Sequence, residues 1–184
     1  MSFWAACLSE AAVILASQYP SSATARWILY NLMPTGTLSL DRIAMTPTFL
    51  VGWACTVVGG LGRLWCYRTM GRQFTFELSI RDDHQLVTSG PYAFVRHPSY
   101  TATFFALAGT FVHFGRGSWM TEYGVTSTWF GRICAGIWGS NASFLACLLL
   151  YRTRTEDEML RAQFGRTWED WASRVPYRLL PYVY

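Results

Sequence analysis

Gly90-Pro91-Tyr92-Ala93-Phe94-Val95-Arg96-His97-Pro98-Ser99-Tyr100 is a polar, turn-rich stretch that opens directly into an apolar run. Gly-Pro at 90–91 marks a turn, because proline presets φ and glycine permits positive φ. Pro98 disfavours helix at His97 but suits the first turn of a helix starting near Ser99. Arg96, His97, Ser99 and Tyr100 are therefore expected to cluster where a helix enters a membrane. The unpaired N–H groups of such a start carry partial positive charge, which suits a carboxylate or another anion. The same residues also suit a juxtamembrane loop with an interfacial Tyr and a snorkelling Arg.

The composition around that stretch is that of an integral membrane protein. Apolar residues make up 52% and charged residues 14%, against about 25% charged in soluble domains. The 184 residues suit one domain, 1–184. All 15 basic residues are Arg, the net charge is +4, and no basic block points to nucleic acid. Cys7, Cys55, Cys66, Cys134 and Cys147 lie mostly inside apolar runs, without a CxxC spacing. That argues against disulfide frameworks and zinc sites, and no metal is expected. There is no HExxH, and no Ser or Cys stands in a nucleophile elbow. The inventory favours group transfer by positioning and charge over a covalent enzyme intermediate.

Taken in order, Phe3–Tyr19 reads as a first short membrane helix carrying Glu10, which should face the bundle interior or an interface. A basic n-region, the mark of a signal peptide, is missing. Ala23–Met33 reads as an interfacial helix with Trp27 and Tyr30 at headgroup depth. Thr48–Tyr67 is a second span, with Gly52, Gly59, Gly60 and Gly62 as close-packing positions. Residues 68–91 are a polar connector, extended over His84–Thr88. A short third span covers Ser99–Phe114, and a fourth runs from Trp129 to Tyr151, with Gly131, Gly136, Gly139 and Ser140 for packing. The fold class is thus all-α: a polytopic bundle of about four to five transmembrane helices.

In the tail, Leu160, Phe164, Trp168 and Trp171 share one helical face, and Gly165 is placed to break the helix in two. This suits an amphipathic helix lying on the membrane. With four spans, the connector (Arg68, Arg72, Arg81, Arg96) and the tail (Arg152, Arg154, Arg161, Arg166, Arg174, Arg178) share one side. The opposite loops carry Arg26, Arg42, Arg116 and Arg132. The positive-inside rule puts connector and tail in the cytosol.

Arg152-Thr153-Arg154-Thr155-Glu156-Asp157-Glu158 continues directly from the fourth span. Arg152 and Glu156, four apart, share a helical face. They suit an interfacial salt-bridged helix start. They equally suit a zwitterionic small molecule beside an anionic second substrate, with Glu156 taking an ammonium group.

His84-Gln85-Leu86-Val87-Thr88-Ser89-Gly90-Pro91-Tyr92, followed by Val95-Arg96-His97-Pro98-Ser99-Tyr100, closely resembles the isoprenylcysteine carboxyl methyltransferase family. That family carries H-x-L-V-T-x-G-x-Y and then R-H-P-S-Y. The tail resembles it too, through Arg152-x-Arg154-x-Glu156-Asp157-x-x-Leu160-x-x-x-Phe164-Gly165, Val175-Pro176 and Leu179-Leu180-Pro181. The resemblance covers roughly residues 60–184, and Phe74-Thr75 also matches a family position. It departs at Ala102, where the family usually has Gly, and at Asp157, which replaces a Glu. The connector is about two residues short between Phe74 and His84, and the N-terminal region is shorter than in eight-span members.

The resemblance implies a multi-pass endoplasmic reticulum methyltransferase with its active site facing the cytosol and its catalytic core at about 68–184. It implies S-adenosylmethionine as cofactor, and prenylated protein C-termini, carrying farnesyl- or geranylgeranyl-cysteine, as partners besides membrane lipid. By the same resemblance His84, Gln85, Leu86, Val87, Tyr92, His97, Pro98, Ser99, Tyr100 and Glu156 would contact the cofactor, and Arg152 the substrate carboxylate. A related membrane family that methylates phospholipid amines also carries a paired-acid motif, so a lipid-amine acceptor stays open. So does a non-catalytic scaffold that retains the motifs.

Overall fold

The computed structural model describes residues 2–33, 46–73, 85–115 and 118–184. Among these the regular structure is all helix, without strands. The helices are α1 (Ser2–Gln18), α2 (Ala23–Leu32), α3 (Pro47–Met70), α4 (Pro98–His113), α5 (Trp119–Glu122), α6 (Trp129–Phe164) and α7 (Arg166–Arg174). Short 3-10 turns cover Gly71–Gln73, Gly90–Ala93 and Val125–Ser127. His84, Phe74 and Thr75 fall outside the described residues.

Two stretches, Pro47–Gln73 and Trp129–Phe164, are long and apolar enough to cross a membrane. Only 17% and 11% of their apolar windows are buried, so neither is the core helix of a water-soluble domain. Leu50, Val51, Trp53, Val58 and Leu61 on α3, and Ile133, Ile137 and Phe144 on α6, stand exposed. Such a surface suits hydrocarbon. The 36 residues of α6 extend about 54 Å, against about 30 Å of bilayer hydrocarbon. The apolar part ends near Tyr151, and the same helix carries on as a charged rod. Gly165, at φ +52, ends it, a backbone state that side chains disfavour.

The chain forms two compact units, residues 1–54 with 108–142 and residues 55–107 with 143–184. In the first, Val13 and Ala16 of α1 pack with Ala25 and Leu29 of α2, and with Met33, Trp119 and Tyr123. Glu10 is buried there, as expected. Its carboxylate lies 3.2 Å from His113 Nε2 and accepts the Trp119 backbone N–H at 3.1 Å. A Cβ on Gly52 would stand 2.4 Å from the His113 backbone, so only glycine fits. Gly136 and Gly139, expected to pack closely, face open space.

In the second unit α3 and α4 touch at Gly59, where a Cβ would meet the Ala102 carbonyl at 2.5 Å. Gly60 faces open space. The core here is Cys66, Tyr92, Trp171 and Val175, flanked by Met70, Leu86, Val87 and Trp168. The apolar face of α7 is thus covered by protein: Trp171 is buried against Tyr92, and its indole N–H donates to the Tyr92 carbonyl.

Candidate functional site

Four segments of the second unit converge at the charged end of α6. Gly90 adopts φ +60 and turns the chain. Pro98 then starts α4, and the residues between form a tight loop. That loop is held by the tail, because the backbone N–H groups of Arg96 and His97 donate to the carbonyls of Tyr177 and Arg178 at 2.9 and 2.8 Å. The Thr101 hydroxyl donates to the Leu179 carbonyl at 2.7 Å. Loop, α4 and tail thereby face the α6 turn that carries Arg152, Glu156 and Asp157.

His97 is the centre of the cluster and is buried. Its Nδ1 lies 3.2 Å from Glu156 Oε2, and its Nε2 lies 3.1 Å from Asp157 Oδ1. Tyr100 donates its hydroxyl to Glu156 Oε1, which also receives Arg152 at 3.2 Å. Asp157 Oδ2 receives Arg178 Nε at 2.8 Å and Arg96 at 3.2 Å. Arg178 in turn bonds the Tyr184 hydroxyl at 3.1 Å. Burial disfavours a charge on His97, but its bonds to Asp157 and Glu156 more than offset this and raise its pKa above the ordinary 6.5. Burial lowers the Arg96 pKa while Asp157 opposes it; a guanidinium keeps its charge at neutral pH all the same. Burial also raises the Tyr92 phenol, helped by Cys66, so Tyr92 stays neutral. The cluster sets three guanidinium groups, Arg96, Arg152 and Arg178, and the His97 imidazole against two carboxylates.

The structure brings together His97, Tyr100, Arg152 and Glu156, as expected. Leu86, Val87 and Tyr92 join the apolar cluster under the loop. Pro98 is buried in the first turn of α4, and the Ser99 carbonyl accepts the Thr103 hydroxyl at 2.9 Å. Gln85 is exposed, its backbone N–H bonded to the Gln73 side chain. Sequence reasoning missed Arg178, which lies in a tail stretch without periodicity, and treated Asp157 only as a replacement for Glu. It also left Arg63 unassigned. That guanidinium donates to the Thr103 and Tyr67 hydroxyls, and a charge so deep in an apolar helix is costly enough to have flagged it. Beside the loop lies an apolar groove of about 220 Å³, lined by Val58, Gly62, Phe94, Pro98, Ala102 and Phe105.

The model of the isoprenylcysteine carboxyl methyltransferase (ICMT) family matches residues 51–130, which include the loop and the start of α4. Over that stretch the chain is similar to this family. It is 31% identical over 127 residues to protein-S-isoprenylcysteine O-methyltransferase B of Arabidopsis thaliana, covering 68% of this chain and 55% of that protein. It is also 26% identical over 100 residues to the mouse delta(14)-sterol reductase TM7SF2, covering 54% of this chain and 20% of that protein. A solved structure of the eukaryotic intramembrane Ras methyltransferase ICMT superposes with a TM-score of 0.56 at 22% identity, over 90% of this chain and 53% of that one. At that identity the likeness is one of fold. The chain spans only about half the length of these methyltransferases and a fifth of the reductase.

Proposed function

We propose that this protein transfers a methyl group from S-adenosylmethionine to the C-terminal carboxylate of a prenylated cysteine, forming a methyl ester. The observation that carries the proposal is the convergence of His97, Tyr100 and Arg152 on Glu156 at the end of an apolar helix. The similarity to the methyltransferase family supports a methyl donor. The cofactor fits the donor set: Glu156 and Arg152 are adjacent opposite charges with side chains 23% and 24% exposed, as an aminoacyl zwitterion requires. Glu156, His97 and Tyr100 would hold it, with Leu86, Val87, Tyr92, Pro98 and Ser99 shaping the surroundings and His84 and Gln85 added from the connector. When bound, S-adenosylmethionine supplies a methyl group already activated on a sulfonium.

Arg152 would turn to hold the acceptor carboxylate through its planar fork. A carboxylate is ionised at pH 7 and needs no general base. The protein's work is alignment and exclusion of water. The excess of cationic groups favours an anionic acceptor over an amine, and the apolar groove beside the loop suits a lipophilic one. In this reading residues 68–184 form the catalytic core of a single domain. The chain makes four to five spans in the endoplasmic reticulum membrane, with connector and tail in the cytosol. The prenyl chain, farnesyl or geranylgeranyl, stays in lipid.

The test is a membrane methylation assay with labelled S-adenosylmethionine, comparing a farnesylcysteine analogue with phosphatidylethanolamine. Label in the analogue as a base-labile ester supports the proposal. Label only in the lipid amine moves the assignment to a phospholipid methyltransferase. Label in neither leaves a non-catalytic scaffold.

A further inference from the structure

Asp157 meets groups from two separate segments. Its Oδ1 stands 3.1 Å from His97 Nε2, and its Oδ2 receives Arg96 from the loop at 3.2 Å and Arg178 from the tail at 2.8 Å. Only 4% of its surface is exposed, so water cannot replace these partners. His97 is thereby set between two carboxylates, one at each ring nitrogen. A neutral imidazole has one donor and one acceptor nitrogen, so either tautomer would turn a lone pair toward a carboxylate. Only the doubly protonated ring satisfies both.

We propose that Asp157 is a positioning residue with two linked tasks. It fixes His97 as a double donor, so that Glu156 receives a charged hydrogen bond. Through Arg178 it also ties residues 175–184 onto the backbone of Arg96 and His97, making the tail a wall of the site. Its importance for turnover rests on the proposed function; the two physical tasks do not. The groups facing His97 are Glu156 and Asp157 from α6, Tyr100 stacked at 5.7 Å from α4, Arg96 from its own loop, and Arg178 with Tyr184 from the tail, acting through Asp157.

Asp157→Asn keeps the size but removes the charge, and its amide tolerates a neutral imidazole at Nε2. Arg178→Gln leaves the His97 pair intact and removes the tie to the tail. It also removes a cation that competes for Asp157, so it should not lower the His97 proton affinity. The experiment is ring-nitrogen NMR of the three histidines in the full chain in detergent, with the His97 signals assigned by His97→Gln. Amide hydrogen exchange at Arg96 and His97 is read on the same samples.

The wild type is expected to show His97 doubly protonated at neutral pH. Asp157→Asn should move the His97 transition to lower pH and speed exchange at both amides, and Asp157→Glu should restore part of each. Arg178→Gln should speed exchange without lowering the transition. A neutral His97 ring in the wild type overturns the proposal, and needs no variant to fold. So does an unmoved transition in Asp157→Asn. An equal downward shift in Arg178→Gln, the mark of general loosening, overturns it too. Methyl transfer is not read, so a chain that failed the methylation assay would leave this outcome intact.

Discussion

The indole Nε1–H of Trp171 donates to the Tyr92 carbonyl across 3.2 Å, inside the cluster of Cys66, Tyr92 and Val175. This contact fastens α7 to the turn that precedes His97. Trp171→Phe keeps most of the buried area and loses the hydrogen bond, and should cost about 1 kcal/mol. Trp171→Ala also opens a cavity and should cost about 3–5 kcal/mol. Thermal unfolding in detergent measures both. Equal, negligible losses would mean that α7 is held by the bilayer rather than by Tyr92.

The His97 pair predicts a pH dependence of stability with a definite sign. Its folded-state pKa is raised above 6.5 by Asp157 and Glu156, against the effect of burial. The stabilisation is therefore fully present below the unfolded-state value and is lost as pH rises through the folded-state value. The Tm advantage of wild type over His97→Gln should be largest near about pH 6 and shrink on the alkaline side. An advantage that grows with pH would reverse the assigned charge state.

Much of the helical frame was readable from residue chemistry. The proline at 98 and the glycine at 165 mark the start of α4 and the end of α6 for reasons of backbone sterics alone, and both ends fall there. The i,i+4 spacing of Arg152 and Glu156 put them on one face, and they pair. Periodicity also found the apolar face of α7, but periodicity records that a face is buried and not what buries it. The expected membrane surface turned out to be Tyr92 and Cys66. The tail beyond Val175 has no repeating pattern. Its attachment to Arg96 and His97 runs through backbone groups, which every residue carries and no side-chain pattern reveals. Arg178 reaches Asp157 only because of that attachment.

The glycines of α3 give a test with an internal control. A methyl group on Gly59 would collide with the Ala102 carbonyl at 2.5 Å, whereas Gly60, one residue on, has nothing within 4 Å. Gly59→Ala should cost about 1–3 kcal/mol, because α3 and α4 must move apart. Gly60→Ala should be neutral or gain up to about 1 kcal/mol from helix propensity. Unfolding in detergent separates them, and indistinguishable variants would remove the close α3–α4 contact from the fold.

Arg152 carries the sharpest functional prediction, because it is paired yet accessible. Its bond to Glu156 is 3.2 Å long, and both side chains are about one-quarter exposed. Glu156 keeps His97 and Tyr100 as partners when Arg152 is removed, so no buried charge is left unpaired and Arg152→Ala should remain folded. Removing Glu156 is a different matter, since His97, Tyr100 and Arg152 all converge on it. Glu156→Gln should weaken S-adenosylmethionine binding by about ten- to a hundredfold, the loss of one charged hydrogen bond. Arg152→Lys keeps the charge but loses the fork that grips a carboxylate through two bonds. It should lose most turnover, and Arg152→Ala nearly all of it, while both keep cofactor affinity close to wild type. If Arg152 served only to orient Glu156, Arg152→Ala would instead weaken cofactor binding and Arg152→Lys would rescue it. Cofactor affinity and methyl transfer measured on the same purified variants distinguish the two roles, and wild-type turnover by Arg152→Ala would end the carboxylate assignment.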